Sequence, residues 1–398
     1  MPDARSAAVS NLLYFDNNAT TAPAPEVLDA MWPCFTQHYG NPSSLHSAGE
    51  DAAQVVAAAR AALARLVDAG SPARLCFTSG ATESNVAALR SALRAHPTRR
   101  RVLASAVEHP AVLEPLTAAE ADGFEFVQIR VDREGRLDLD QVRAELDERA
   151  ALVSVMAVNN ETGVVHDLAP IAAAARAVGA ALHVDAVQAC GKLAFSCERS
   201  GADFVAFSAH KLHGPKGVGA LYVRRGVELE PLLRGGPQEG ERRGGTENVP
   251  GIVGFGKAAA LAREWLEQGG PERLAKLRDR LEHELMRTIA GTHVHGRGAP
   301  RVCNTSNVRF EGISGEALVA LASDEGLCVS TGAACSASRH RPSHVLLAMG
   351  LSPAEASSSV RLSLSRYTTA EDVDRALEVL SEAVRRLRAL LGAVPASR

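Results

Sequence analysis

Apolar positions in the first two thirds of this chain fall mostly in short runs, not in strict alternation. LCFT, RVLAS, FEFVQIRV, ALVSVMAV, ALHVD, FVAF and VGALYV each stand just before or after a polar, Gly- or Asn-rich turn. Apolar runs of this length mark strands buried on both faces. Between most of them lie stretches with helical periodicity, among them the Ala-rich SAGEDAAQVVAAARAALARLV, which opens on Ser47. LYFDNNATT is a short apolar run ending in an Asn/Thr loop, and APEVLDAMWPCF reads as a helix interrupted before Pro33. Strands divided by helices of about ten to fifteen residues predict an α/β fold with a predominantly parallel sheet covered on both faces. In such sheets ligands bind at the carboxyl ends of the strands, where the polar turns of this chain fall.

The pattern changes after Gly254. Three long amphipathic stretches, FGKAAALAREWLEQ, PERLAKLRDRLEHELMRTIA and AEDVDRALEVLSEAVRRLRALLG, are helices, and CNTSNVRFE, GLCVST and SSSVRLSLS between them are strands. This predicts a smaller α+β unit, with a break at Gly269-Gly270-Pro271. The expected division is a large domain over residues 14–259 and a small one over 260–398 together with 1–13. The tail AVPASR is expected to fray.

Composition narrows the function classes. The chain has 398 residues, 46% of them hydrophobic and 22% charged, with 43 Lys and Arg against 46 Asp and Glu, a net charge of -3. Nothing in that balance pulls the protein toward nucleic acid or an anionic membrane. MPDARSAAVSN has no apolar signal region, and no later run reaches about 18 apolar residues, so a soluble cytoplasmic protein is expected. The 7 cysteines are odd in number and scattered without a C-x-x-C pair, which argues against a disulfide framework or a zinc site. Cys76 and Cys190 sit in apolar runs and read as buried. Cys335 instead lies in the polar segment STGAACSASRHRPSH, followed by Arg339, His340 and Arg341, where a thiolate is favoured.

The candidate chemistry centres on DFVAFSAHKLHGPKGVGALYV, residues 203–223. Lys192, Lys211, Lys216, Lys257 and Lys276 are the only lysines in an arginine-rich chain. A lysine kept at a strand end can do what arginine cannot: lose its proton and form a Schiff base. A solvated turn lysine is the ordinary alternative for Lys211 in isolation. Other strand ends add to it. Gly80-Ala81-Thr82-Glu83-Ser84 joins a strand to a helix and offers N–H groups and a hydroxyl to an anion, although Ser and Thr are also ordinary caps. Asp185 ends a buried strand and needs a cationic or N–H partner, which a pyridinium nitrogen or the next turn can supply. His109 stands at another strand end, able to stack on a ring or move protons. A Schiff-base lysine, a phosphate cup, an aspartate and a histidine at neighbouring strand ends describe a site for pyridoxal 5'-phosphate.

The runs YFDNNATT, YGNPSSLHS, FTSGATES, VEHPAVL, VNNETG, HVDAVQ, SAHKLHGPKGVGALY, LLRGGPQEGERRGGTEN, GAACSAS, PSHVL and VRLSLSRYTT follow one another from Tyr14 to about Thr369. In kind and order they resemble the cysteine desulfurases of the NifS/IscS type, class V aminotransferases of fold-type I. That resemblance implies a pyridoxal-phosphate fold-type I architecture: a large domain with a mainly parallel seven-stranded sheet plus the smaller α+β domain. It implies Lys211 as the cofactor-binding lysine, Asp185 opposite the pyridine nitrogen, Gln188 on the ring's phenolic oxygen and His109 stacked on the ring. Ala81, Thr82, Ser208 and His210 resemble the phosphate cup, completed across a homodimer by Thr246. Asn160 and Arg361 resemble the groups that hold the cofactor side and the carboxylate of the substrate, L-cysteine. Cys335 falls on the nucleophilic cysteine, expected on a mobile loop, which takes the substrate sulfur as a persulfide and passes it to a sulfur-acceptor or iron-sulfur scaffold protein.

Two departures stand out. Gly332-Ala333-Ala334-Cys335 lacks the serine common two residues before the nucleophile, and Arg339-His340-Arg341-Pro342 replaces an acidic Leu-Glu-Pro, which adds positive charge near the thiol. A selenocysteine lyase would share the fold and cofactor, a plain transaminase would not need Cys335, and a non-catalytic sulfur-transfer scaffold would not need Lys211, Asp185 and His109 together.

Overall fold

The computed structural model describes residues 12–332, 342–390 and 392. In chain order the strands among these are β1 (Leu13–Tyr14), β2 (Leu75–Thr78), β3 (Arg101–Ser105), β4 (Glu125–Ile129), β5 (Ala150–Met156), β6 (Ala181–Asp185), β7 (Phe204–Ser208), β8 (Gly219–Val223), β9 (Thr292–His295), β10 (Thr305–Phe310), β11 (Leu327–Cys328) and β12 (Ser359–Ser363). A 7-stranded sheet runs in the order β2-β8-β7-β6-β5-β3-β4. All its neighbours are parallel except β8, which is antiparallel to both β2 and β7. The apolar runs are explained by position: β5 is buried along its whole length between helical layers, whereas β4, at the edge, shows mixed exposure.

The helix Ala81–Ala95 packs on β5 to β8, and Ser47–Leu66 packs against Val249–Glu267. Phe77 of β2 meets Phe255 of that last helix with ring centroids 6.4 Å apart, so the helix is seated on the sheet by its first half. It runs through positions 259 and 260 without interruption and ends before Gly269, whose left-handed backbone separates it from the helix Gly270–Thr288.

The smaller unit is a 3-stranded antiparallel sheet in the order β12-β10-β9, with helices Gly270–Thr288, Gly315–Asp324 and Ala370–Leu390 packed about it. The chain's beginning is tied to this end: β1 pairs in parallel with β11, and Asp16 bridges to Ser363 of β12. β12 therefore lies against the loop Asp16–Ala19, which leads directly to the carboxyl ends of the large sheet.

Candidate active site

Five strands of the large sheet, β2, β3, β5, β6 and β7, deliver their carboxyl ends to one side, where a cavity of about 450 Å³ opens. That volume lies in the range of small-ligand pockets. Ala81, Thr82, His109, Asn160, Asp185, Gln188, Ser208, His210, Lys211 and Arg361 all line it. Thr246 does not. It lines a second cavity of about 240 Å³ that shares only Ser79 and Gly217 with the first. Cys335, with Arg339, His340 and Arg341, lies outside the described residues.

Lys211 follows β7 by three residues, in a short 3-10 turn over Ala209–Lys211. Its Nζ donates to the backbone carbonyls of Asn18 and Ala19, each at 2.7 Å. Asp185 is the last residue of β6 and is 6% exposed. Its Oδ1 accepts from the Val187 N–H at 3.0 Å and its Oδ2 from Asn85 Nδ2 at 2.8 Å. Of the two roles the sequence left open, the turn cap is present in one oxygen, while the other is held by the helix Ala81–Ala95 and the residue lines the cavity. Asn85 is held in turn: its Oδ1 faces His183 Nε2 at 3.1 Å, and His183 Nδ1 faces Ser154 Oγ at 2.8 Å. Burial pushes His183 down to about 4, against the attraction of Asp185, so it is neutral. With Nε2 carrying the proton, Asn85 must turn its amide N–H toward Asp185.

The N-terminus of the helix Ala81–Ala95 has no side-chain cap, and a Cβ placed on Gly80 would meet nothing within 4 Å. Its first N–H groups therefore open on free space, the arrangement that receives a phosphate. Gly219 makes this possible from the neighbouring strand: a Cβ there would stand 2.7 Å from the Gly80 backbone. His109 caps the next helix, its Nδ1 accepting from the Ala111 N–H at 3.0 Å, which leaves the proton on Nε2. Burial lowers the His109 imidazole, opposed by Asp185 and helped by Lys211 and His344. Burial, then the charges of Lys211, Lys216 and Lys192, push His210 down to about 4.

Opposite Lys211, Arg361 of β12 is 2% exposed. Its Nη2 pairs with Asp16 Oδ1 at 2.6 Å, its Nη1 donates to the Asn160 carbonyl at 3.2 Å, and its Nε is buried without a partner among the described residues. The described chain on either side of residues 333–341 meets one carboxyl group. Ser343 Oγ donates to Glu161 Oε2 at 2.5 Å, and a Cβ on Gly332 would stand 2.6 Å from that same oxygen. Burial raises the Glu161 carboxyl, while Ser343, His344 and Arg361 lower it.

Sequence reading missed Asn18, Asn85, Glu161 and Lys192. Only the Asn17-Asn18 pair directly after an apolar run hinted at a built polar site; the others depend on partners far along the chain.

A cofactor with a ring nitrogen, a phosphate and an electrophilic carbon fits these residues. The cavity offers a buried carboxylate, an uncapped helix N-terminus and a lysine amine on separate walls, with a guanidinium beyond them.

The aminotransferase class-V family model matches residues 13–376. The chain is 47% identical over 380 residues to "Cysteine desulfurase" of Cereibacter sphaeroides, covering 95% of this chain and 97% of that protein. It is 46% identical over 380 residues to "Cysteine desulfurase" of Trichormus azollae, covering 96% and 94% respectively. Among solved structures, one titled "NIFS-LIKE PROTEIN" superposes with a TM-score of 0.88 at 38% identity, covering 94% of this chain and 100% of the other. Another, "SspA in complex with cysteine", superposes at 0.78 with 32% identity, covering 89% and 99%.

Proposed function

Because the chain belongs to the aminotransferase class-V family and, within it, to the cysteine desulfurases, we propose that it takes the sulfur from L-cysteine, releases L-alanine and holds the sulfur as a persulfide on Cys335. The observation that carries this reading is the meeting of Lys211, Asp185, the helix N-terminus at Ala81 and Arg361 around one cavity of about 450 Å³. Lys211 would hold pyridoxal 5'-phosphate by its amine, Asp185 would pair with its ring nitrogen, and Gln188 would donate to its ring oxygen. Ala81 and Thr82, with Ser208 and His210, would hold the phosphate. Bound there, the cofactor supplies an electron sink for the substrate's Cα.

The rest is done by side chains. Arg361 and Asn160 bind the carboxylate end of the substrate, and a fixed guanidinium suits a bidentate partner. His109, neutral and with its proton on Nε2, lines the cavity and would stack on the ring and donate a proton. The Cys335 thiolate attacks the substrate sulfur. The new S–S bond forms as the substrate's Cβ–S bond breaks; the electron pair stays with the carbon skeleton, which gains a proton and leaves as alanine.

In a homodimer, Thr246, which lines a separate cavity with Gly217, would complete the phosphate site of the second copy. Leu28, Trp32, Phe35, Tyr39 and Leu45 are exposed within one stretch of the large unit, apolar side chains that a second copy would cover. No helix of the described residues is long and apolar enough to cross a membrane. A sulfur acceptor or iron-sulfur scaffold in the cytoplasm would receive the persulfide. With domains over 14–259 and 260–398 with 1–13, the site would lie at their junction, Lys211 on one and Arg361 on the other, and the helix Val249–Glu267 would cross from one to the other.

The test is to load the protein with pyridoxal phosphate, add L-cysteine and measure alanine and sulfide. Equal amounts of both are expected from the native chain in the presence of a reductant, and neither from Cys335→Ala. Alanine release retained in Cys335→Ala would overturn desulfuration through that thiol.

A further inference from the structure

The proposed mechanism leaves a buried cation unused. Lys192 sits one turn after Gln188, 8% exposed, and does not reach the cavity wall. Its Nζ donates to Asn18 Oδ1 at 3.1 Å and to Gln188 Oε1. On the other side of the same amide, Gln188 Nε2 donates to the Asn18 backbone carbonyl at 3.0 Å, and that carbonyl also accepts from Lys211.

This arrangement permits Gln188 a single orientation. Were its amide turned over, Oε1 would face the Asn18 carbonyl and, where Lys192 carries its proton, Nε2 would face an ammonium, repulsive contacts in place of two hydrogen bonds. In the orientation observed, Nε2 has a second N–H to offer, and Gln188 lines the cavity. Asn18 cannot yield to accommodate a change. Its Oδ1 also accepts from Asn304 Nδ2 at 3.1 Å, its Nδ2 donates to Thr305 Oγ1 at 2.8 Å and to the Asn160 carbonyl at 3.0 Å, and its backbone N–H donates to Ser363 Oγ at 2.9 Å. Lys192 bears a cost for this position: burial, then the like charge of Lys211, lower it to about 7, with Cys303 opposing. A buried lysine with no contact to the cavity is retained more simply as methionine unless the two oxygens it meets need a donor.

We propose that Lys192 is a positioning residue, which fixes the Gln188 amide with its donor toward the cavity and thereby sets the hydrogen bond available to the cofactor's ring oxygen. This rests on the proposed function, in which Gln188 meets that oxygen. The experiment is a double-mutant cycle on the holoenzyme with Lys192→Met, Gln188→Leu and both. It reads retention of pyridoxal phosphate on dilution and the position and pH dependence of the visible absorbance band. Lys192→Met is expected to weaken retention roughly three- to thirtyfold, as loss of one polar contact does, and to move the band in the same direction as Gln188→Leu. In the Gln188→Leu background it should do nothing further. A Lys192→Met protein of lower melting temperature with unchanged band and retention overturns the proposal, as do additive effects in the double variant. If Lys192→Met fails to fold, Lys192→Gln, whose amide can serve one of the two oxygens, goes through the same cycle. Its smaller effect must also vanish beside Gln188→Leu, and persistence there overturns the proposal. A native protein that takes up no cofactor overturns the proposed function itself, whereas a coloured native protein indifferent to Lys192 overturns this inference alone.

Discussion

Replacing Arg361 by lysine keeps the charge and removes the fork. In the native chain the guanidinium is held by Asp16 at 2.6 Å and the Asn160 carbonyl at 3.2 Å, and the backbone that carries it is fixed in β12, where residue 361 is paired with Asn307 of β10 and bridged to Ser330. Its Nε is buried without a partner among the described residues, so the group has donor capacity in reserve. A lysine ammonium can replace one of these contacts but cannot give a carboxylate two parallel N–H groups. Loss of one charge-assisted hydrogen bond costs about 1.5–3 kcal/mol, which converts to roughly ten- to hundredfold in affinity. Because the substrate carboxylate is held equally before and during the reaction, the loss should fall on KM for L-cysteine, with kcat changed by no more than a few-fold. Steady-state alanine release measures both. Cysteamine, which is L-cysteine without its carboxylate, provides the internal control as an inhibitor: its binding should be indifferent to Arg361→Lys. An unchanged KM for L-cysteine, or an equal loss of affinity for cysteamine, would refute the assignment of Arg361 to the carboxylate.

Three further outcomes are expected. Gly332→Ala places a Cβ 2.6 Å from Glu161 Oε2 at a residue with φ of 81°; the left-handed backbone alone costs about 1–2 kcal/mol, and thermal unfolding should show a loss that is less than additive with Glu161→Ala, full additivity speaking against the clash. Burial holds the Glu108 carboxyl up at about 8 although Ser105 and Met156 donate to it. From its ordinary 4.5 up to that value the unfolded chain therefore binds fewer protons than the folded one, and stability falls as pH rises through the window. The melting temperature of the native protein minus that of Glu108→Gln should fall from about pH 5 to about pH 8 and then level off, and a constant difference would contradict the buried neutral acid. Finally, verified heterodimers of a Lys211→Ala chain with a Thr246→Ala chain should regain part of the native activity, since one of the two shared sites is intact; no recovery would mean self-contained sites.

Much of the architecture was legible because it depends on short stretches. The apolar run of β5 does not alternate because it is buried on both faces, and the helix Ala81–Ala95 is announced by the small-residue turn before it. Lys211, Asp185 and the Ala81 turn could be read as site residues because each stands at a strand end, where local order already says which side of the sheet it faces. The network behind them could not. Asn18 bonds to Gln188, Lys192, Asn304 and Thr305, at sequence separations of 170 to 287, and no periodicity in any one segment signals such meetings. Lys192 is one of only five lysines, so the argument that a rare lysine is kept for a purpose applied to it as well as to Lys211. What hid it was its place one turn past Gln188, well beyond the end of β6 and outside the cavity wall. Thr246 illustrates the opposite limit: its motif was read from resemblance, and a single chain gives it a cavity adjoining the site but not a wall of it.

The most direct measurement is the mass of the peptide containing Cys335 after the loaded protein has met one equivalent of L-cysteine without reductant. The account predicts a gain of one sulfur atom on that peptide, matched by one alanine released per site and absent in Lys211→Ala. Alanine formed with Cys335 unmodified, or a sulfur carried on another of the 7 cysteines, would contradict it.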